Sequence, residues 1–264
     1  MYKKILVLIP VIMFGIFISN ADAFHTWGGY HWARTANPFT LQLGDNVSSA
    51  WDGYLLTTAG DWSTSTALDT IVKPGKTKPR LCKPTNGRVE VCNEKYGANG
   101  WLGIAQIWVS GGTHITQGIV KMNDTYFNTP NYNTPAWKNL VMCQEVGHTL
   151  GLGHQDENFE NANFDTCMDY TNNPLTNQHP NQHDFDELLT AYNHTDASTS
   201  LLALFTNRFT GFSSTVPQIL TNIDLSDSSA WGEIIKIDVQ NHASLYKRDL
   251  GNGNTVFTHV TWAE

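Results

Sequence analysis

The spacing of apolar side chains predicts strands and one helix in the first half of the chain. Residues 39–43 alternate apolar and polar positions with the two-residue period of a β-strand. Residues 50–63 carry apolar side chains at the spacing of an amphipathic helix. Two longer apolar runs, at residues 102–109 and 115–122, predict neighbouring strands joined by a turn that contains two glycines.

Two more helices are predicted farther along. Thr134 followed by Pro135 is typical of a helix start, because threonine caps the first turn and proline fits there without losing a hydrogen bond. Apolar side chains recur through the following turns, and Gly151 is a natural helix stop. Residues 183–192 predict the other helix, with acidic side chains near its N-terminal end, where the helix dipole favours them.

The last part of the chain has a different character. Beyond residue 195, stretches rich in Ser, Thr and Asn lead into short alternating runs at residues 233–239, 244–246 and 256–262. The sequence Gly-Asn-Gly at residues 251–253 is typical of a hairpin turn. We therefore predict a β-rich C-terminal segment.

The N-terminus is similar to a secretory leader. Lys3 and Lys4 precede an apolar run at residues 5–18, and Ala-Asp-Ala at residues 21–23 has the small-x-small pattern of a cleavage site. An uncleaved anchor is the alternative, but the run is shorter than the roughly 20 residues that a membrane span needs. We predict a signal peptide at residues 1–23, a secreted, extracellular mature protein, and no membrane attachment after cleavage.

These boundaries divide the remaining chain into a main domain at residues 24–195 and a β-rich extension at residues 196–264. With 264 residues, 41% of them hydrophobic, the chain can bury a sizeable core. The formal net charge is -8, and the basic residues form no cluster, so nucleic-acid binding is disfavoured. The oligomeric state is not readable from the sequence.

The segment QEVGHTLGLGH carries the candidate chemistry. Gln144 and His148 are four positions apart, so on a helix their side chains share one face and can hold one metal ion. Glu145 lies beside them, close enough to act on a metal-bound water. Gly151 breaks the helix and lets His154 return to the same ion. Three protein ligands plus a water is the usual arrangement of a catalytic zinc site.

This segment resembles the metzincin signature H-E-x-x-H-x-x-G-x-x-H, in which only Gln144 departs from the pattern. Farther on, the sequence Cys-Met-Asp-Tyr at residues 167–170 resembles the Met-turn of that family. The resemblance implies that Met168 lies under the metal as an apolar floor. It also implies that Tyr170, as in the astacin and serralysin branches, can reach the zinc or the reacting carbonyl.

The resemblance implies an α/β fold: a twisted mixed sheet, mostly parallel, packed on two helices that include the active-site helix. An irregular lower subdomain with a C-terminal helix and the small β-rich extension would follow. The layout of residues 30–195 looks most like that of matrixins. The histidine-rich strand motif of that group is not matched, because Gln106 stands at the position of a structural-zinc histidine, so the resemblance does not predict a second zinc of the matrixin kind.

The implied function is that of a secreted zinc endopeptidase acting on a protein or peptide. Zn²⁺ would be held by Gln144, His148 and His154, and Glu145 would be the general base. The metal and Tyr170 would stabilise the oxyanion. An extended substrate would pair with the strand at residues 102–109.

Gln144 leaves three interpretations open. Its neutral amide oxygen can replace an imidazole and leave the zinc its full charge, which gives an active peptidase. The second interpretation is a catalytically inactive pseudo-peptidase that binds a protein or peptide partner. The third is a structural module whose histidines are surface residues.

The four cysteines of a secreted chain predict two disulfides, and sequence alone allows three connectivities. We favour Cys82–Cys92, which closes a short loop with a hairpin signal at an Asn-Gly pair. We also favour Cys143–Cys167, which would join two parts of the candidate site.

Other possible ligands have simpler explanations. His179 and His183 fit capping or surface roles near the last predicted helix. Asp156, Glu157 and Asp165 could bind a structural Ca²⁺ through their oxygens, although a solvated acidic loop is the simpler interpretation.

Overall fold

The computed structural model describes residues 25–202, Leu225 and residues 227–263. The strands are β1 (His31–Trp32), β2 (Phe39–Asn46), β3 (Leu68–Pro74), β4 (Val89–Glu94), β5 (Trp101–Ser110), β6 (His114–Asn123), β7 (Glu233–Ile237), β8 (Ala243–Gly251) and β9 (Asn254–Trp262). The α-helices are α1 (Asp52–Trp62), α2 (Asp124–Phe127), α3 (Pro135–Thr149) and α4 (Gln182–Ala191). The predicted leader at residues 1–23 lies outside the described residues.

One mixed sheet runs through the molecule in the order β3-β2-β4-β6-β5-β9-β8-β7, and β1 pairs with β6 off this path. The pairs β2–β3, β2–β4, β4–β6 and β1–β6 are parallel. The pairs that involve β5, β7, β8 and β9 are antiparallel. The fold is therefore mixed α/β, but the expectation of a mostly parallel sheet holds only for its first half, because the C-terminal strands continue the same sheet.

The elements predicted from apolar spacing are present, with their ends shifted by a few residues. The β5–β6 turn spans residues 111–113 and contains Gly111 and Gly112, both at positive φ, which glycine adopts at little cost. The short elements β1, β3 and α2 were not predicted, since a few residues carry too little periodicity to be recognised.

One predicted hairpin is wrong. Residues 82–88 form no strand, and β4 begins only at Val89. Both edges of β4 are taken by the parallel strands β2 and β6, so no edge is left for an antiparallel neighbour. Both favoured disulfides are nevertheless formed, with Cα–Cα distances of 6.0 Å for Cys82–Cys92 and 5.9 Å for Cys143–Cys167.

The main core lies between the sheet and the helix pair α1–α3. Trp62 of α1 is fully buried and donates its indole N–H to the carbonyl oxygen of Cys143 on α3 at 3.2 Å. This packing holds α3 between α1 and the sheet, which is why almost all of its second half is buried. A second core includes Trp101 and Trp108 of β5 with Val256 and Val260 of β9. Among the described residues, no helix is long and apolar enough to cross a membrane.

Candidate metal centre

Helix α3 carries the candidate site in its C-terminal half. The side chain of Thr134 caps its start by accepting the backbone N–H of Trp137 at 3.3 Å, and Pro135 occupies the first turn. The predicted helix and its cap are therefore confirmed. Because the cap fixes where the helix starts, it also sets which face each later residue occupies.

The helix ends in a tight turn that only glycine can make without strain. Gly151 has a φ of +94°, and a side chain here would collide with the backbone carbonyl of Tyr30. Glycine enters the left-handed region at little cost. The turn reverses the chain and brings His154 back against His148.

His148 and His154, here called the buried pair, meet beyond this turn. Their Nε2 atoms are 3.0 Å apart and their rings are nearly perpendicular, at 87°. Each Nδ1 atom is engaged elsewhere. His148 Nδ1 lies 2.8 Å from the carbonyl oxygen of Leu152, and His154 Nδ1 lies 2.6 Å from Oε1 of Glu157.

These hydrogen bonds determine which nitrogen of each ring is protonated. A carbonyl oxygen can only accept, so Nδ1 of His148 carries the proton. Burial alone would raise the pKa of Glu157, but His154 and Lys236 together hold it below its usual value, so this carboxylate also accepts. Burial lowers the pKa of both histidines. The lowered pKa values favour neutral rings, and with Nδ1 protonated each neutral ring would turn its Nε2 lone pair toward the other at 3.0 Å, an arrangement that a shared cation would stabilise.

Glu145 lies on the same helix and is fully buried. Within the described part of the chain, neither of its carboxylate oxygens has a hydrogen-bond partner. Burial raises the pKa of Glu145 to about 8, and the nearby Thr261 hydroxyl opposes that rise. The Glu145 carboxylate packs against Gly103 of β5, where any side chain would overlap it. An unpaired buried carboxylate costs free energy that a neighbouring cation would offset.

The predicted Met-turn packs directly under the helix. Met168 is fully buried, and its sulfur lies so close to Gly147 that a side chain at that glycine would collide with it. The Cys143–Cys167 disulfide joins α3 to this turn. The Tyr170 ring lies 4.3 Å from the His154 ring, centroid to centroid. Its buried hydroxyl lacks a hydrogen-bond partner among the described residues.

Gln144 has both ends of its amide engaged. Its nitrogen donates to the carbonyl oxygen of Cys167 at 3.0 Å, and its oxygen accepts the Thr261 hydroxyl at 2.7 Å. The structure brings His148, His154 and Tyr170 together, places Glu145 on the same helix as His148, and directs the Gln144 amide toward Cys167 and β9. A ligand role for Gln144 would require it to exchange the Thr261 contact for the metal, and this role stays a prediction.

The C-terminal strand β9 covers the site. His259 stacks on the ring of His148 with centroids 3.9 Å apart, and its Nε2 atom is buried without a partner among the described residues. His259 was missed from the sequence because it stands in an ordinary alternating strand more than a hundred residues from the motif. Only the pairing of β9 with β5 brings it to the histidines.

The expected strand addition by a substrate is wrong for this arrangement. Strand β9 pairs with β5 from Trp101 to Ser110, so the outer edge of β5 is fully hydrogen-bonded. Gln106 donates to the Thr258 hydroxyl at 3.0 Å across the same pairing. An extended peptide can reach the β5 edge only if β9 leaves it.

The remaining predicted ligands lie apart from the buried pair. His179 is 55% exposed and contacts Asp61 at 2.7 Å. His183, His25 and Asp184 form a separate group whose ligand atoms lie within 4.8 Å of one another. His25 Nε2 is 3.3 Å from Asp184 Oδ1 in this group.

The acidic loop uses much of its charge locally. Asp156 accepts the backbone N–H groups of Glu157 and Asn158, and Glu157 binds His154. Asp165 has a positive φ of 56°. The carboxylates of Asp156 and Glu157 are thus already engaged, and a calcium site at this loop stays a prediction.

The comparisons with known proteins give a weak structural likeness. No protein-family model matches the chain, and no curated protein matches its sequence. Among solved structures, it is similar to high choriolytic enzyme 1, a hatching enzyme zinc-protease from Oryzias latipes (medaka fish). The TM-score is 0.36 with 9% identity, over 63% of this chain and 96% of that chain. A likeness at this level supports no argument about function, so the function must be argued from the site itself.

Proposed function

We propose that this protein is a secreted zinc-dependent endopeptidase of metzincin-like design. The observation that carries the proposal is the buried pair, in which the two Nε2 atoms lie 3.0 Å apart while both Nδ1 atoms face oxygen acceptors. Zinc is the common metal for neutral imidazole donors in a dry, tetrahedral setting. Glu157 and the carbonyl of Leu152 hold the rings in the tautomer that zinc ligation needs.

The unpaired groups around the buried pair suit peptide hydrolysis. A zinc ion bound there would make a bound water acidic and polarise the substrate carbonyl. The Thr261 hydroxyl of β9 lies near Glu145, and once β9 moves away the carboxylate can accept the proton of the attacking water and pass it to the leaving amine. The unpartnered Tyr170 hydroxyl can donate to the carbonyl oxygen as charge develops on it.

Access to this site requires β9 to move. The Thr261 and His259 contacts hold β9 against α3, and β9 occupies the edge that an extended peptide would use. The proposed peptidase is therefore covered by its own C-terminal strand. Weakening this cover should raise the rate of cleavage without altering the residues that carry out the chemistry.

A second candidate function is a catalytically inactive pseudo-peptidase that binds a protein or peptide. The engaged amide of Gln144 favours it, because only two imidazole donors then converge on the ion. A catalytic zinc site usually has three protein ligands. The two candidate functions differ in whether the protein cleaves a substrate, and two variants can distinguish them.

The test measures zinc content and cleavage of denatured casein for the full chain and two variants. Glu145→Gln should keep its zinc and lose cleavage by about 100- to 10,000-fold, because the amide cannot accept the proton. Thr261→Val, which removes the bond to Gln144 but keeps the shape of the side chain, should raise cleavage. Zinc binding with no cleavage by any of the three proteins would establish the pseudo-peptidase instead.

A further inference from the structure

A second group of histidines lies at the surface, outside the buried pair. His31 is the first residue of β1, His114 is the first residue of β6, and His194 and Asp196 follow α4. We call these four residues the surface cluster. His31 and His114 are direct neighbours in the parallel β1–β6 pairing. The side chains of His114 and His194 are 37% and 44% exposed, whereas His31 and Asp196 are largely buried.

The ligand atoms of His31, His194 and Asp196 all lie within 4.8 Å of one another, and His114 approaches this group through its contact with Asp196. Oδ1 of Asp196 lies 3.2 Å from Nε2 of His114, 3.5 Å from that of His31 and 3.8 Å from that of His194. The Nε2 atoms of His31 and His194 are 3.2 Å apart. Tetrahedral zinc with bonds of about 2.0 Å separates its ligand atoms by about 3.3 Å. The distances among His31, His194 and Asp196 lie around this value, and His114 would have to turn toward the ion to become the fourth ligand.

Outer hydrogen bonds orient two residues of the surface cluster, His31 and Asp196. Nδ1 of His31 lies 2.7 Å from the carbonyl oxygen of Gly29, which can only accept, so Nδ1 is engaged as a donor and Nε2 is the atom that can face a metal. The other oxygen of Asp196, Oδ2, accepts the Arg34 guanidinium at 2.9 Å and the Arg34 backbone N–H at 3.1 Å. Ligating histidines and carboxylates in metal sites are oriented by such outer hydrogen bonds.

We propose that the surface cluster is a structural zinc site, with His31, His194 and Asp196 as its core ligands and His114 as the fourth. Imidazole and carboxylate donors suit zinc, and four protein donors leave no position open for a substrate. The site is independent of the proposed peptidase chemistry, since it shares no residue with the buried pair.

The position of the proposed zinc site indicates that a bound ion would hold separate segments of the chain together. A zinc ion there joins β1 and the start of β6 to the segment after α4. The residue after His31, Trp32, donates its indole N–H to the carbonyl oxygen of Thr149 at 2.9 Å. Tyr192 donates its hydroxyl to the carbonyl oxygen of Leu150 at 2.9 Å. The bound ion therefore stabilises the segments that flank the end of α3 and the turn leading to His154.

The test compares zinc content and melting temperature for the full chain and three variants, after saturation with zinc and dialysis. His194→Ala and His114→Ala remove partly exposed side chains and should each lose about one zinc per chain relative to the parent protein. Added zinc should raise the melting temperature of the parent protein more than that of either variant, because the variants lack the surface site. His179→Ala is the matched control, because this exposed histidine also contacts a single carboxylate. It should keep the full zinc content.

The outcomes for the two proposed sites are distinguishable. Unchanged zinc content in both His194→Ala and His114→Ala, while His154→Ala loses zinc, would overturn the surface site and leave the peptidase proposal standing. Zinc lost with His194→Ala but not with His154→Ala would support the surface site and count against the peptidase. Cobalt substituted for zinc gives a second readout, since a tetrahedral cobalt spectrum in the parent should be reduced in His194→Ala.

Discussion

The side chains of His148 and His154 are buried, whereas those of His114 and His194 are partly exposed and lie beside the carboxylate of Asp196. The two sites also differ in charge. The direct donors of the buried pair are neutral, so an ion held there keeps its charge for the substrate. The surface cluster has three imidazoles and one carboxylate, and the carboxylate would offset part of the charge of a bound ion. The first arrangement suits chemistry, and the second suits holding segments of the chain together.

The supports of the two sites differ as well. The buried pair depends on one tight turn at Gly151, which brings both histidines together within seven residues of chain. The surface cluster is assembled by the β1–β6 pairing and by the Arg34–Asp196 ion pair, which has an N–O distance of 2.9 Å. A change in the turn should therefore damage the buried pair and leave the surface cluster intact.

The largest expected effect is that of Gly151→Ala. Alanine at a φ of +94° is strained, and its methyl group would also collide with the Tyr30 carbonyl. Gly112→Ala is the matched control, because Gly112 has the same φ of +94° and open space around it. We expect the control to lose about 1–2 kcal/mol of unfolding free energy and Gly151→Ala to lose about 2 kcal/mol more.

Urea denaturation of both variants, with zinc content measured in parallel, checks this prediction. Zinc at the buried pair should fall in Gly151→Ala and stay constant in Gly112→Ala. Equal losses of stability in the two variants would mean that the turn beside Tyr30 relaxes freely and that the buried pair does not depend on it.

The difference between the buried pair and the surface cluster also explains which of the two could be predicted from the sequence. The buried pair lies within one segment, so helical spacing and a single glycine were enough to predict that His148 and His154 meet. The surface cluster comes from residues 31, 114, 194 and 196, and no local pattern links them. The same holds for His259, whose position over His148 depends on which strand pairs with β5. Helices and strands follow from local spacing, whereas strand order across a mixed sheet depends on contacts between distant segments.

An intermediate effect is expected from Glu157→Gln. The carboxylate holds His154 at 2.6 Å and attracts Lys236 at 3.0 Å. Its loss should lower zinc affinity at the buried pair by about 10- to 100-fold, because the ring loses both its orientation and part of its basicity. Competition with a fluorescent zinc chelator measures the affinity.

Glu160→Gln is the control for that change, since Glu160 is an exposed carboxylate in the same loop. It should leave the affinity within about twofold of the parent value, as surface substitutions usually do. A similar loss in both variants would indicate that the loop acts through its overall charge and not through the bond to His154.

The smallest effect is expected from His194→Ala on the buried pair itself. The two sites share no ligand, and they are linked through hydrogen bonds such as that from Trp32 to Thr149. Sites without shared partners usually act additively within about 0.5 kcal/mol, which corresponds to about a twofold change in affinity. Zinc affinity at the buried pair and casein cleavage should therefore stay within that range in zinc-saturated His194→Ala. A larger loss of either would mean that the surface ion positions the end of α3 closely enough to control the chemistry, and Trp32→Phe, which removes only the indole N–H, should then reproduce part of the loss.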